Sequence, residues 1–208
     1  MPSIWSPDTD THITQRYNQK TLEQKVRNKT ALQKELGWPV EGKCPLVALP
    51  LGMTEVLGGE VLKVLLPGLL TQSLQLVILG KGSKEYGTLL TELLEKQSHR
   101  IAILQPKEES IHRMISAADM ALFFNAAGSS SEIQACLAYG VVPIAPESAE
   151  LENYDPVQER GNAFLFGSSR DPAAMGWSAF AAVVRALETF KFPFDWRTIQ
   201  RHCMESAA

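Results

Sequence analysis

Met120–Phe124 reads MALFF, Asn125–Gly140 reads NAAGSSSEIQACLAYG, and Val141–Ala145 reads VVPIA. An apolar run, a Gly/Ser-rich turn, a helix-like run and a second apolar run follow without a break. Ile133, Cys136 and Leu137 fall at core spacing in the helical part. Strand, helix and strand in this order make the repeating unit of a parallel sheet. The order also gathers backbone N–H groups, the positive end of a helix dipole and hydroxyls at one point, the arrangement by which proteins hold phosphate. Gly128, Ser129, Ser130 and Ser131 are therefore candidate anion contacts. The stretch is poor in groups for chemistry. No Lys, Arg or His lies between Arg113 and Arg160, and Glu132, its only acid, sits inside the predicted helix. A plainer reading also fits: Ser129-x-x-Glu132 has the spacing of a capping box, with or without a ligand.

Outward from this unit the alternation continues. Pro45–Pro50, Leu74–Leu79, Arg100–Leu104 and Ala163–Phe166 predict further strands. Helices are predicted over Leu22–Leu36, Val61–Leu70, Lys84–Lys96, Glu108–Ala118, Ala173–Phe190 and Asp195–Met204, with Pro67 and Gly68 weakening the end of the second. Strands separated by helices imply an α/β fold: one Rossmann-like domain, its parallel sheet covered by helices on both faces. Ligands bind such sheets at the carboxyl ends of the strands. Residues 1–20 read as an arm or hinge segment and 21–208 as the domain. Gly80-Lys81-Gly82-Ser83 follows the second strand directly. It reads as a tight strand-to-helix turn or as a phosphate loop to which Lys81 adds a cation, and it lacks the full dinucleotide fingerprint.

The 208 residues, 45% of them hydrophobic, suffice for a sizeable core. A net charge of −3 gives no reason to expect nucleic acid as a partner. No apolar run approaches the ~18 residues of a membrane span, and the polar N-terminus is no signal peptide. Cys44, Cys136 and Cys203 are odd in number and far apart, which suggests a reduced, intracellular chain without a zinc site. A cytoplasmic location is expected, or the plastid stroma for a plant or algal source. Cys136 reads as core packing. His12, His99, His112 and His202 have no partner at catalytic spacing and read as surface or structural residues. Glu147, Glu150, Glu152 and Asp155 read as a solvated loop, their spacing matching no metal-ligand pattern.

Read in order, the pieces resemble a known family. Trp5-Ser6-Pro7-Asp8-Thr9-Asp10 and Asn28-Lys29-x-x-Leu32-Gln33 open the series. Leu76–Gly82, Ala117-Ala118-Asp119, Tyr139–Pro143 and Gly161–Phe166 continue it. Together they are similar to the C-terminal domain of bacterial glycogen synthases and plant starch synthases, enzymes of the GT-B fold with two Rossmann-like domains around a cleft. The resemblance implies a domain that holds ADP-glucose or UDP-glucose as a substrate ligand, with no separate cofactor. It also implies an α-glucan acceptor and an N-terminal GT-B domain or partner synthase that completes the site.

The resemblance also marks departures. The family's diphosphate-contacting Arg and Lys pair with Gly52 and Leu57. Its sugar-contacting Glu pairs with Ala127, its Thr with Glu132, and its Gly-Gly-Leu with the stretch Pro146–Glu150. Cations that stabilise charge on a leaving phosphate are thus expected to be missing. No catalytic residue is assigned. Gly52, Gly80, Lys81 and Gly82, with Gly128 and the three serines, are the candidate nucleotide-sugar contacts. Two functions are expected: a domain non-catalytic alone that serves glucan, nucleotide or partner interaction, or the donor-binding half of an active retaining α-1,4-glucan glucosyltransferase.

Overall fold

Apolar runs with no alternating polar residue can be satisfied only where both sheet faces are covered. The computed structural model, which describes residues 5–125 and 129–207, places these runs there. Strands β1 (Leu46–Leu49), β2 (Gln75–Leu79), β3 (Ile101–Leu104), β4 (Met120–Leu122), β5 (Val142–Pro146) and β6 (Phe164–Phe166) form one sheet. All pairings are parallel, in the order β3-β2-β1-β4-β5-β6. Every residue of β1, β2, β4 and β5 is buried. The chain runs outward from β1 to β3, then returns to β4 on the other side of β1. That reversal opens a crevice at the carboxyl ends of β1 and β4.

The helices are α1 (Val26–Glu35), α2 (Gly59–Thr71), α3 (Lys84–Lys96), α4 (Glu108–Ala117), α5 (Ser130–Ala138), α6 (Pro172–Phe190) and α7 (Pro193–Ser206). They pack in pairs, α1 on α4, α5 on α7 and α2 on α6. The pairing explains why α2 runs unbroken through Pro67 to Thr71. A Cβ on Gly68 would lie 2.9 Å from the Phe180 ring of α6, so the missing side chain lets the two helices close up. Tertiary packing overrides the local helix-breaking signal. A 3-10 segment, Gln19–Lys25, precedes α1 and starts earlier than the periodicity predicted. Asn18 caps it by accepting from the amides of Lys20 and Thr21 while the Thr21 hydroxyl accepts from the Asn18 amide.

Two buried polar clamps join the N-terminal part of the chain to the rest of the domain, one at the sheet and one at α4 and α5. In the first, Asp119, at the entry to β4, accepts at 2.7 Å from Lys29 of α1 and at 2.8 Å from the Leu46 amide that starts β1. In the second, Asp10 accepts from Tyr139 at 2.6 Å and the His12 amide at 2.7 Å, and it sits 2.8 Å from His112 Nδ1. Trp5 stacks on that imidazole with centroids 4.3 Å apart. From Trp5 onward the predicted arm is therefore docked on α4 and α5, with Ile13 and Tyr17 in the core. His112 is a buried structural residue. Burial pushes the Asp10 carboxyl up, but its hydrogen bonds outweigh this and hold its pKa below the ordinary value.

Removing Lys29 leaves Asp119 as a buried, unpaired charge. Lys29→Met is expected to lower unfolding free energy by about 3–5 kcal/mol in urea titrations. The depressed Asp10 pKa makes a second prediction. Its stabilisation is fully present above the unfolded value of about 4 and is lost as pH falls through the folded value. Asp10→Asn should therefore be less stable than wild type at neutral pH and show a flatter loss of urea midpoint below pH 4.

Candidate functional site

The carboxyl end of β1 leads into a loop over residues 50–58, and the structure fixes that loop by backbone contacts. The Met53 amide donates to Lys81 O at 2.9 Å and the Ser83 amide donates to Met53 O at 3.1 Å, so the 50–58 loop and the 80–83 turn are zipped together. Gly52 and Gly82 both adopt positive φ, at 69° and 144°. A Cβ on Gly52 would lie 1.8 Å from Lys81 O, and one on Gly82 1.9 Å from Met53 O. The glycine spacing is thus accounted for by the approach of backbone to backbone, which is the tight-turn reading. Gly80 donates its amide to Leu104 O at 2.7 Å. Lys81 is exposed. With Gly80 and Gly82 it lines a groove of about 620 Å³ against Thr88, Thr91 and Glu95 of α3.

The serines lie on the other side of β1, at the start of α5. Ser129 is buried, and its hydroxyl donates to Asn125 O rather than to the helix N–H groups. Ser131 donates to Glu132 at 2.6 Å. The predicted capping box is therefore not formed: Ser129 makes no side-chain cap, and Glu132 turns to its neighbour. Instead the Ser130 hydroxyl meets both carboxylate oxygens of Glu150, at 3.1 and 3.0 Å. Ser148, in the same loop, has a buried hydroxyl without a hydrogen-bond partner among the described residues. Gly128 and Ala127 lie outside the described residues.

The 50–58 loop separates the two groups and touches the second. Asn125 Nδ2 donates to Val56 O at 3.2 Å, and a Cβ on Gly58 would lie 2.3 Å from Phe124. The structure thus brings Gly52, Gly80, Lys81 and Gly82 together and sets Ser129, Ser130 and Ser131 apart with Glu150. Charge at this edge favours acids. Lys63 of α2 is held by Glu60 at 2.8 Å and Glu85 at 2.6 Å, and the two carboxylates push its pKa up. Tyr86 donates to Glu60 at 2.7 Å, and burial together with that bond pushes its pKa up to about 12. Two of the remaining loop acids also have local partners. Glu152 pairs with Arg160, and Asp155 accepts from the amides of Val157 and Gln158. Among the described residues no group of three or more His, Cys, Asp or Glu is placed to hold a metal ion.

Known proteins resemble this chain over most of its length. Glycogen synthase of Cellvibrio japonicus is 31% identical over 96% of this chain and 42% of its own length. Glycogen synthase of Gloeobacter violaceus is 32% identical over 96% and 44%. The chain is a glycogen- and starch-synthase-like domain. It spans less than half the length of these curated relatives. Among solved structures, the catalytic domain of starch synthase IV from Arabidopsis thaliana, bound to ADP and acarbose, superposes with a TM-score of 0.77 at 21% identity. It covers 96% of this chain and 42% of that one. HepE of Anabaena, in complex with UDP and glucose, gives 0.61 at 13% identity over 87% and 47%. Both likenesses are of fold and match a GT-B glycosyltransferase domain. No family model matches. No helix among the described residues is long and apolar enough to cross a membrane.

What sequence reasoning missed in the synthase-like domain is the Ser130–Glu150 contact, because 20 residues of chain separate its members. The backbone zipper yields a test. Gly82→Ala is expected to cost at least the ~1–3 kcal/mol of an overpacked site in thermal or urea unfolding. Lys81→Ala should fall within about 0.5 kcal/mol of wild type. A neutral Gly82→Ala would refute the zipper.

Proposed function

We propose that this chain is a synthase-like donor domain that does not transfer glucose by itself and serves interaction with an α-glucan, a nucleotide or a partner synthase. The observation carrying this reading is the carboxylate of Glu150 at the first turn of α5. In the GT-B reading the diphosphate of a nucleotide sugar belongs at this edge. Glycosyl transfer builds negative charge on the departing phosphate, and preorganised cations must meet it. Here the helix terminus faces Glu150, Glu132 lies in the same turn, and Lys63 is engaged by two acids. Loss of a single such donor typically slows a reaction by about 10²–10³. The positions paired with the family's Arg and Lys hold Gly52 and Leu57, and Gly52 has no space for a side chain.

A second reading makes the chain the donor-binding half of an active retaining glucosyltransferase with a rebuilt phosphate site. It is favoured by the superposition, over 96% of the chain, on a starch synthase that binds ADP and acarbose. Titration calorimetry with ADP-glucose and UDP-glucose separates the two. The first reading expects no saturable heat at sub-millimolar concentration, together with retention of the chain on a glucan matrix or a partner synthase. A sub-millimolar dissociation constant for either nucleotide sugar would overturn it in favour of the second.

A further inference from the structure

A cavity of about 970 Å³ lies at the amino-terminal end of the sheet, where Pro45 leads into β1 and Asp119 into β4. It opens between the 3-10 segment with α1 and the turn from α6 to α7. Lys25, Lys29, Asp119 and Trp196 line it and are all buried. Charge on this floor does not balance, because two ammonium groups face one carboxylate. Lys29 takes Asp119, at 2.7 Å. Lys25 donates only to uncharged oxygens: Ser116 O at 2.8 Å, Ile115 O at 3.2 Å and the Tyr17 hydroxyl at 3.4 Å. Those two carbonyls end α4, and a helix terminus supplies roughly half a negative charge. A buried cation without a full counter-charge is costly.

Donors on the floor are also unused. The Trp196 Nε1 is buried and has no hydrogen-bond partner among the described residues. Lys29 donates to Cys44 O and Asp119, and an ammonium has a third hydrogen. Both groups border one side chain: Lys29 Nζ lies 5.1 Å from the Phe190 centroid, and the Trp196 and Phe190 centroids are 5.2 Å apart. The exposed rim is even in charge, with Lys43 and Arg197 against Glu23 and Glu41 and with Lys191 held by Glu188. The surplus of positive charge and of donors therefore sits inside the cavity.

We propose that this cavity binds a small carboxylate- or phosphate-bearing anion, whose charge answers Lys25 and whose oxygens accept from Trp196 Nε1 and Lys29. The site lies at the opposite end of the sheet from the donor edge and does not depend on the function proposed there. Burial pushes the Lys25 ammonium down to about 7. Lys29 lowers it further and Asp119 opposes the shift; Tyr17, Cys136 and Cys203 are its other titratable neighbours. A bound anion holds Lys25 protonated, so affinity is greatest below pH 7 and falls above it.

Calorimetry at constant ionic strength, with inorganic phosphate and malonate as separate probes, tests this. Saturable binding of at least one probe is expected at pH 6.5. Trp196→Phe keeps an aromatic ring against Phe190 and loses the N–H together with the fused five-membered ring. It should bind about tenfold more weakly, the loss of one hydrogen bond to a charged group, with its urea midpoint measured alongside to separate that loss from a packing defect. Lys25→Met should abolish binding. Should that variant fail to fold, Trp196→Phe and a malonate profile from pH 6.5 to 9 decide the matter, since malonate keeps its charge over that range. No saturable heat from either probe, undiminished binding by Trp196→Phe, or an affinity flat with pH would each overturn the proposal.

Discussion

One carboxylate holds the two halves of the sheet in register. Asp119 opens β4, and its Oδ2 binds the amide of Leu46 at the start of β1 as well as the ammonium of Lys29. The Asp119 amide returns to Leu46 O, and its carbonyl receives the Val142 amide that starts β5. Residues 73 positions apart are thus fixed at the one place where the strand order reverses. The crevice at the other end of β1 and β4 inherits its alignment from this contact. A buried ion pair is weak evidence of net stability, but the hydrogen bonds that Asp119 accepts are directional, and direction is what a switch point between two parallel half-sheets requires.

The two ends of the sheet differ in electrostatic character. At the carboxyl end, Glu60, Glu85, Glu132 and Glu150 surround the starts of α2, α3 and α5. Helix N-termini favour nearby acids, so these groups stabilise the fold in the region where an anionic substrate would compete with them. At the amino end the buried cations Lys25 and Lys29 outnumber Asp119. Fold stability and donor affinity thus pull in opposite directions at the upper edge. That opposition would act on any anion bound at this end of the sheet.

Much of the fold was legible because its signals are local. Continuous apolar runs gave the strands, the 3.6-residue spacing of Leu89, Leu90, Leu93 and Leu94 gave α3, and Gly37 before Pro39 marked the end of α1. The site was legible only in part. Gly80-Lys81-Gly82 reads alike as a phosphate loop and as a turn, and only the position of Met53 distinguishes them. The Ser129-x-x-Glu132 spacing implied a capping box, yet Asn125 O and Ser131 capture the two side chains. The clamp of Asp10, His112 and Tyr139 joins residues more than 100 positions apart through Asp10, a separation at which spacing carries no information. Motif resemblance singled out Asp10, Lys29, Asp119 and Tyr139, whereas their pairing and structural role appear only in the fold.

The interlock of Gly52 and Gly82 has an evolutionary side. Position 52 pairs, by motif, with a phosphate-contacting arginine, and here its backbone is left-handed and pressed against Lys81 O. A single codon change to arginine would meet the opposing turn before its guanidinium could reach the crevice. Any side chain at position 52 requires the 50–58 loop and the 80–83 turn to separate first. The glycine pair thus acts as a lock that keeps position 52 without a side chain, whatever charges surround it.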